Sequence, residues 1–422
     1  MRIKAERSTL NGSIAVSGSK SHSIRAVAAA LISDGKCTLR DMLASGDTLA
    51  VLKAAEQLGA RVSRNGSTWE VTGTGGKFKD SGRTIDMQNS GTGLRLLSGM
   101  CALQEFPISF DGDDSLRTRQ MATLLSAFEM LGAKTDSANG KCPFTLHGPV
   151  RGGHCFVDGS SSQFLSSLLL SLPLAEGDSV IDLEFLNEQP YVGITTSWMD
   201  FLGLRYKHSA DLLHWEIPGG QKVAAFDRAV AADFSTAAFP LIAGMIAGGE
   251  IEIRNLDFSD PQGDKKVFEF AAQLGGDIRR GDPLTVRGGK KLTGVEIDLN
   301  STPDALPILA VAGAFASGVT RLVNVPQARI KETDRISVMA CELGKLGVKA
   351  EELPDGLIIY GGNGISGGEV NSYHDHRVAM AFTIAGLASE NGVIVNDAEC
   401  AAVSYPNFFA DFKALGAKIT EL

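Results

Sequence analysis

Polar and apolar positions recur along this chain on a scale much longer than one helix or strand. Six times a short polar cluster opens onto a small, apolar run of helix length: KSHSIRAVAAALIS, SGTGLRLLSGMCAL, SSQFLSSLLLSLPL, DFSTAAFPLIAGMIA, PDALPILAVAGAFA and DHRVAMAFTIAGLA. The polar anchors are Lys20, Ser90, Ser161, Asp233, Asp304 and Asp375, about 70 residues apart each time, which marks copies of one unit. A second marker keeps the same step. It is Leu-Gly plus a small or apolar residue, at Leu58, Leu131, Leu202, Leu274, Leu346 and Leu415.

The first run of each copy is apolar on every face and predicts a buried helix. The next, as in TLAVLKAAEQLGA or RQMATLLSAFEMLGA, is amphipathic and predicts a helix with one wet face. Gly after Leu suits a helix C-cap, where the backbone turns left-handed. Short strands around a turn follow, as in VKAEELPDGLIIYGG and in ARVSRNGSTWEVTG, where Asn65-Gly66 signals a hairpin. A last strand, as in TIDMQNSG or VEIDLNST, leads to the next buried helix. The expected unit is therefore helix, helix, hairpin, strand.

Six such units make an α/β protein, and 422 residues are too many for one ordinary core. Three units per domain, with buried helices inside and sheets outside, give domains of ordinary size. The repeat places the boundaries near Gly18 and Ala231. One domain is then 19–230, and the other is 1–18 plus 231–422, completed by a first strand before Gly18.

Composition changes this picture little. The 44% apolar and 21% charged residues are ordinary for a globular chain. A net charge of −9 gives no basic field for nucleic acid. The six cysteines are scattered without a CxxC pair, so neither a zinc site nor a redox motif is indicated. The apolar runs are too short to span a membrane, and MRIKAERSTLNGSIAV reads as a strand at once, leaving no room for a leader. The expectation is a cytoplasmic monomer without membrane or nucleic-acid partners.

Candidate chemistry gathers at the helix starts. Helix N-termini carry unpaired N–H groups and partial positive charge, and bind anions. The buried-helix starts add fixed cations: Lys20 and Arg25 in GSKSHSIR, Arg95 in NSGTGLR and Arg377 in HDHR. The second helices add Arg119 in LRTRQ, and Lys331 and Arg335 in RIKETDR. Cations that oppose a helix dipole call for an anion nearby, so a small, multiply anionic ligand is expected. Hydroxyls at Ser21, Thr92, Ser161 and Ser162 suit its oxygens, although Ser90 and Asp233 read first as plain caps. Two carboxylates lie among the cations, Asp304 in STPDALP and Glu332 in KETDR. They are either ion-pair partners or proton carriers. Asp304 is expected to start an apolar helix, where desolvation would raise its basicity. His376 is a proton carrier or a capping histidine. The HDH string lacks further metal ligands, and no dinucleotide or P-loop fingerprint is present.

These motifs bring a family into view. GSKSHSIR, NSGTGLR, DDSLRTRQM, DGSSSQF, STPDALP, RIKETDRI, YHDHRVAM and VSYPNFF occur in this order across nearly the whole chain. The sequence resembles the 3-phosphoshikimate 1-carboxyvinyltransferases, or 5-enolpyruvylshikimate-3-phosphate synthases. The resemblance implies the enolpyruvyl transferase fold, two domains of three repeats that close on substrate. It implies transfer of the enolpyruvyl group of phosphoenolpyruvate to the 5-hydroxyl of shikimate 3-phosphate, a step of the shikimate pathway to chorismate and the aromatic amino acids, with no metal or other cofactor.

Carried over by position, Lys20, Arg119, Arg335 and Arg377 would hold phosphoenolpyruvate, with Gly91 lining its pocket and Asn89, Thr92 and Arg95 shaping that side. Ser21, Arg25, Ser161, Ser162, Gln163 and Tyr191 would hold shikimate 3-phosphate, and Lys331 would lie between the substrates. Asp304 would take the hydroxyl proton and Glu332 would protonate the methylene carbon, with Lys20 counted in the catalytic group. Three positions depart from the family pattern: Val403 where many members have Lys, Glu188 where many have Ser, and Gln327 where many have Asn. The sister UDP-N-acetylglucosamine enolpyruvyl transferases place a reactive Cys where this chain reads DGDDSLRTRQ. A non-catalytic relative would be expected to lose Asp304 or Glu332.

Overall fold

The computed structural model describes all 422 residues. Contacts divide the chain into two compact units, Gly18–Ala231 and Met1–Ser17 with Ala232–Leu422. Each unit has its own apolar core, and no helix is long and apolar enough to cross a membrane.

Each repeat runs strand, buried helix, strand, second helix, and two hairpin strands. In the second repeat these are Ile85–Asp86, Gly91–Cys101, Ile108–Asp111, Ala122–Met130, Lys134–Ser137 and Phe144–His147. The strands on either side of the buried helix pair in parallel, and the hairpin adds two antiparallel partners. The same one-parallel, two-antiparallel order recurs in six four-stranded sheets. A strand thus separates the two helices, which the expected helix, helix order lacked. These strands, such as Gly318–Val323 and Val393–Asn396, are only a few residues long and begin within a few residues of the apolar helix runs. A short apolar stretch in that position cannot be told from the end of the helix by periodicity.

Two strands, rather than one, precede Gly18, and both belong to the second unit. Ile3–Glu6 lies between Val393–Asn396 and Lys418–Glu421, so the N-terminus completes the sixth repeat's sheet. Leu10–Ala15 runs parallel to Gly249–Arg254 and completes the fourth. In the first unit Asp227–Ala229 does the same for Lys36–Arg40 of the first repeat. Gly18, at the passage into the first unit, has no alternative residue. A Cβ there would lie 1.8 Å from the Asp41 carbonyl oxygen.

The buried helices are Lys20–Ile32, Gly91–Cys101 and Ser162–Ser171 in one unit, and Phe234–Ala247, Leu306–Phe315 and His376–Ala388 in the other. Small residues let them approach. A Cβ at Gly99 would lie 2.5 Å from Ser167 Oγ on the neighbouring helix. Their starts follow the polar anchors with two differences. Ser161, Asp233 and Asp375 cap their helices by accepting backbone N–H bonds, whereas Ser90 holds the cap position without a side-chain cap bond. Asp304 lies in a 3₁₀ turn, Pro303–Ala305, ahead of its helix. The hairpin at Asn65-Gly66 forms with Asn65 still in register opposite Thr68, so Gly66 and Ser67 make the turn.

All six Leu-Gly markers end a second helix in the same way. The glycines Gly59, Gly132, Gly203, Gly275, Gly347 and Gly416 have φ between +69° and +109°. The next residue donates back to a carbonyl five positions earlier: Ala60 to Ala55, Ala133 to Phe128, Leu204 to Met199, Gly276 to Ala271, Val348 to Leu343 and Ala417 to Phe412. This is the Schellman closure, which satisfies carbonyls left over at the helix end. Gly132→Ala removes the left-handed freedom without a steric clash, since the nearest atom to the new Cβ is 4.0 Å away. It should cost about 1–2 kcal/mol, read as a lower urea midpoint with an unchanged slope.

Candidate active site

The polar helix starts of the Gly18–Ala231 unit gather three arginines and a lysine. Lys20, the first residue of its helix, donates to Asp47 Oδ2 at 3.0 Å. Arg25 lies one turn further and is 1% exposed. Its guanidinium donates to Thr195 Oγ1 at 2.9 Å, Ser166 Oγ at 3.3 Å, and the carbonyl oxygens of Ser21 and Tyr191 at 3.1 Å. Every one of these acceptors is neutral. Burial accordingly pushes the Arg25 pKa down to about 10. A buried charge fixed by neutral oxygens is costly by itself, and it is well placed to receive an anion.

Arg95 donates to Gln163 Oε1 at 2.6 Å and to the Gln120 carbonyl, and lies over the Phe164 ring. Arg119, just past a short helix, donates to Asn89 Oδ1 at 2.5 Å and to Ser115 Oγ. Asn89 is itself held by Asp113, its Nδ2 donating to Oδ2 at 2.8 Å. Gly91 lies directly beneath the Arg119 guanidinium, and a Cβ there would be 2.7 Å from Nη1. Thr92 follows Gly91 in the first turn of the same helix. Ser161 Oγ accepts from the Gln163 N–H, and Ser162 Oγ donates to the buried Glu188 at 3.0 Å. The unexpected Glu188 thus accepts the hydroxyl proton of a serine that was expected to meet the ligand, from a left-handed backbone at φ +56°.

The other unit compensates its buried arginine with carboxylates, unlike Arg25. Arg335, the first residue of the Arg335–Lys345 helix, is 0% exposed and is shared by three carboxylates. It reaches Asp375 Oδ2 at 2.7 Å, Asp304 Oδ1 at 2.8 Å and Glu332 Oε2 at 2.6 Å. Arg377 holds the second oxygen of Asp304 at 2.8 Å. Lys331, next to Glu332 in the chain, adds a third positive charge acting on Asp304. Burial alone would lower the Arg335 pKa, but Asp375, Glu332 and Asp304 together hold it well above its ordinary value.

Asp304 corrects an expectation. Burial does push its pKa up, yet Arg377, Lys331 and Arg335 outweigh burial and hold the carboxyl well below the usual carboxylate range. Both carboxylates singled out from the sequence are ion-pair partners here. His376 is buried as the first residue of its helix, whereas His374 is exposed. Of the other departures, Gln327 is buried and donates to the Asn300 carbonyl at 2.9 Å, and Val403 ends the 3₁₀ turn Ala398–Val403, half-buried.

Several residues of these clusters carry no motif of their own: Asp47 against Lys20, Thr195 and Ser166 around Arg25, and Trp198, whose Nε1 donates to His22 Nδ1 at 3.0 Å. Asp47 sits in the first turn of its helix, where an acid reads as favourable to the dipole. Thr195 is one polar position on an otherwise ordinary helix. Only the fold makes them neighbours.

Repeats of this topology, with cations at the helix starts, are those of an enolpyruvyl transferase. The chain belongs to the EPSP synthase (3-phosphoshikimate 1-carboxyvinyltransferase) family, whose model matches residues 4–412. It is 42% identical to the 3-phosphoshikimate 1-carboxyvinyltransferase of Ruminiclostridium cellulolyticum over 99% of both chains. It is 38% identical to that of Methanosarcina acetivorans, over 100% of this chain and 99% of the relative. The solved EPSP synthase of Acinetobacter baumannii is similar with a TM-score of 0.83 and 27% identity, covering 100% of both chains.

The ion pairs of Asp304 give a pH prediction. Its folded pKa lies below the unfolded value near 3.8, so its contribution is complete above that value and is lost as pH falls towards the folded pKa. Asp304→Asn should therefore lose roughly 3 kcal/mol at pH 7. In urea titrations at stepped pH, the gap to the wild type should narrow as pH drops below about 4.

Proposed function

We propose that the chain carries out the reaction of its family with the roles divided between its two units, which are its two domains. It transfers the enolpyruvyl group of phosphoenolpyruvate to the 5-hydroxyl of shikimate 3-phosphate and releases phosphate. The observation that carries the assignment is the buried Arg25 guanidinium surrounded by neutral oxygens. A phosphate ester supplies the missing negative charge through short, charge-assisted hydrogen bonds.

In the Gly18–Ala231 unit, Arg25 holds shikimate 3-phosphate with Ser21, Ser161, Ser162, Gln163 and Tyr191. Because Ser162 already donates to Glu188, more of the affinity rests on Arg25. Lys20 and Arg119 bind phosphoenolpyruvate, Gly91 leaves room for the Arg119 guanidinium, and Asn89, Thr92 and Arg95 shape that side. In the other unit Arg335 and Arg377 bind phosphoenolpyruvate, and Lys331 lies at the reacting groups. Asp304 takes the proton of the 5-hydroxyl, and Glu332 delivers one to the methylene carbon.

The electrostatics suggest how Asp304 becomes a base. While two guanidiniums lie on it, its carboxylate is too well stabilised to draw a proton from an alcohol. Phosphoenolpyruvate offers Arg335 and Arg377 a competing carboxylate and phosphate. Each guanidinium that turns to the substrate restores basicity to Asp304 and loosens the Arg335 bond to Glu332. Addition then uses the base and the acid, and elimination is helped by cations around the departing phosphate. Shikimate 3-phosphate meets an uncompensated cation, whereas phosphoenolpyruvate must displace ion pairs, so shikimate 3-phosphate binds first.

The Cys142 thiol, pushed up to about 12 chiefly by burial, is tuned away from nucleophilic chemistry. One chain carries every group named here, which supports a monomer of 44.5 kDa. Buried free thiols suit a reducing cytoplasm.

Kinetics of single variants test the division. Asp304→Ala and Glu332→Gln should each lower kcat by at least about 100-fold while leaving shikimate 3-phosphate affinity nearly intact. Arg25→Met should raise the KM for shikimate 3-phosphate by at least about 100-fold, with a smaller effect on that for phosphoenolpyruvate. Equal loss of shikimate 3-phosphate binding in the Asp304 and Glu332 variants would remove their assignment as proton carriers.

A further inference from the structure

Both guanidiniums on Asp304 depend on one turn, Asn371–Asp375, that the mechanism leaves unexplained. Tyr373 and His374 are consecutive non-glycine residues at φ +53° and +58°, a conformation that side chains with a Cβ adopt rarely. Asp375 follows at once, caps the helix that carries Arg377, and grips Arg335. Strained backbone persists only where its surroundings over-determine it.

The surroundings are supplied by Glu342. Its side chain is 0% exposed and lies two turns along the helix that begins with Arg335. One carboxylate oxygen accepts from the Tyr373 hydroxyl at 2.8 Å and from Lys345 Nζ at 2.6 Å, and the other from the Asn371 N–H at 3.1 Å. Glu342 therefore clips the left-handed turn to the Arg335 helix at one end, while Asp375 ties the same two segments together at the other. A buried acid held by two bonds to one turn does more than the surface ion pair with Lys345 requires.

We propose that Glu342 is a positioning residue for the reaction. Through Tyr373 and the Asn371 N–H it sets where Asp375 and Arg377 emerge, and so how Arg335 and Arg377 are presented to phosphoenolpyruvate. The inference rests on the reading of those two arginines as the phosphoenolpyruvate cations of their unit.

Three variants test it, each checked for folding by its thermal transition. Glu342→Ala should raise the KM for phosphoenolpyruvate roughly tenfold, with the KM for shikimate 3-phosphate unchanged within about twofold. Glu342→Gln, whose one oxygen can still accept from the Asn371 N–H while its amide donates to the Tyr373 hydroxyl oxygen, should recover most of that loss. Tyr373→Phe should show the same split more weakly, and decides the question if Glu342→Ala does not fold. Arg377→Lys serves as the control and should raise the KM for phosphoenolpyruvate. A flat control overturns the arginine assignment together with the inference built on it. A responsive control with a flat Glu342→Ala, or with both KM values rising equally, overturns the positioning role alone.

Discussion

A positive charge taken out of water must be met by negative charge, and this chain meets that demand in two opposite ways. Arg335 is surrounded by three carboxylates and is compensated by the protein itself. Arg25, just as deeply buried, is held by hydroxyl and carbonyl oxygens that orient it without neutralising it. The first arrangement stabilises a cluster that a ligand has to rearrange. The second leaves charge to be neutralised by a ligand. The proposed substrate order and the proposed silence of Asp304 until phosphoenolpyruvate arrives both rest on that difference.

The repeat explains how such charges come to be buried at all. Each copy opens its buried helix with a polar cluster and covers the apolar remainder with a sheet. The helix start supplies N–H groups and a dipole, and in the first, second and sixth copies the first turns supply Lys or Arg. The same scaffold also serves copies without a cation in the first turn. At the fourth repeat Asp233 caps its helix by accepting from Ser235 and Thr236, and no cation occupies its first turn. Identical geometry thus yields a cap in one copy and an ion site in another, according to one or two side chains.

Much of this was legible in the sequence, because the strongest signals were periodic or local. Six buried helices and six Leu-Gly endings recur at fixed spacing, and a glycine at a left-handed helix end has a mechanism that can be read from the letters. The cations at the helix starts stood out because they oppose the dipole. What could not be read was long-range. The strand between the two helices merged with the apolar run before it. The strand Ile3–Glu6 completes a sheet with the far end of the chain, which no local pattern announces. Asp304 looked desolvated from its apolar neighbours, but Arg335 and Arg377, 31 and 73 positions away in sequence, decide its ionisation. Glu188 stood out in the sequence only as a departure from the family's Ser, and its hydrogen bond from Ser162 became visible only in three dimensions.

The proposed role of the charged clusters of the two units is enolpyruvyl transfer to shikimate 3-phosphate. The most direct test follows phosphate release from phosphoenolpyruvate by the purified protein, with shikimate 3-phosphate and, separately, with UDP-N-acetylglucosamine as acceptor. Release with shikimate 3-phosphate alone is the predicted result, and would show that Glu188 and Val403 are compatible with turnover. Release with the nucleotide sugar, or no release with either acceptor from folded protein, would contradict it.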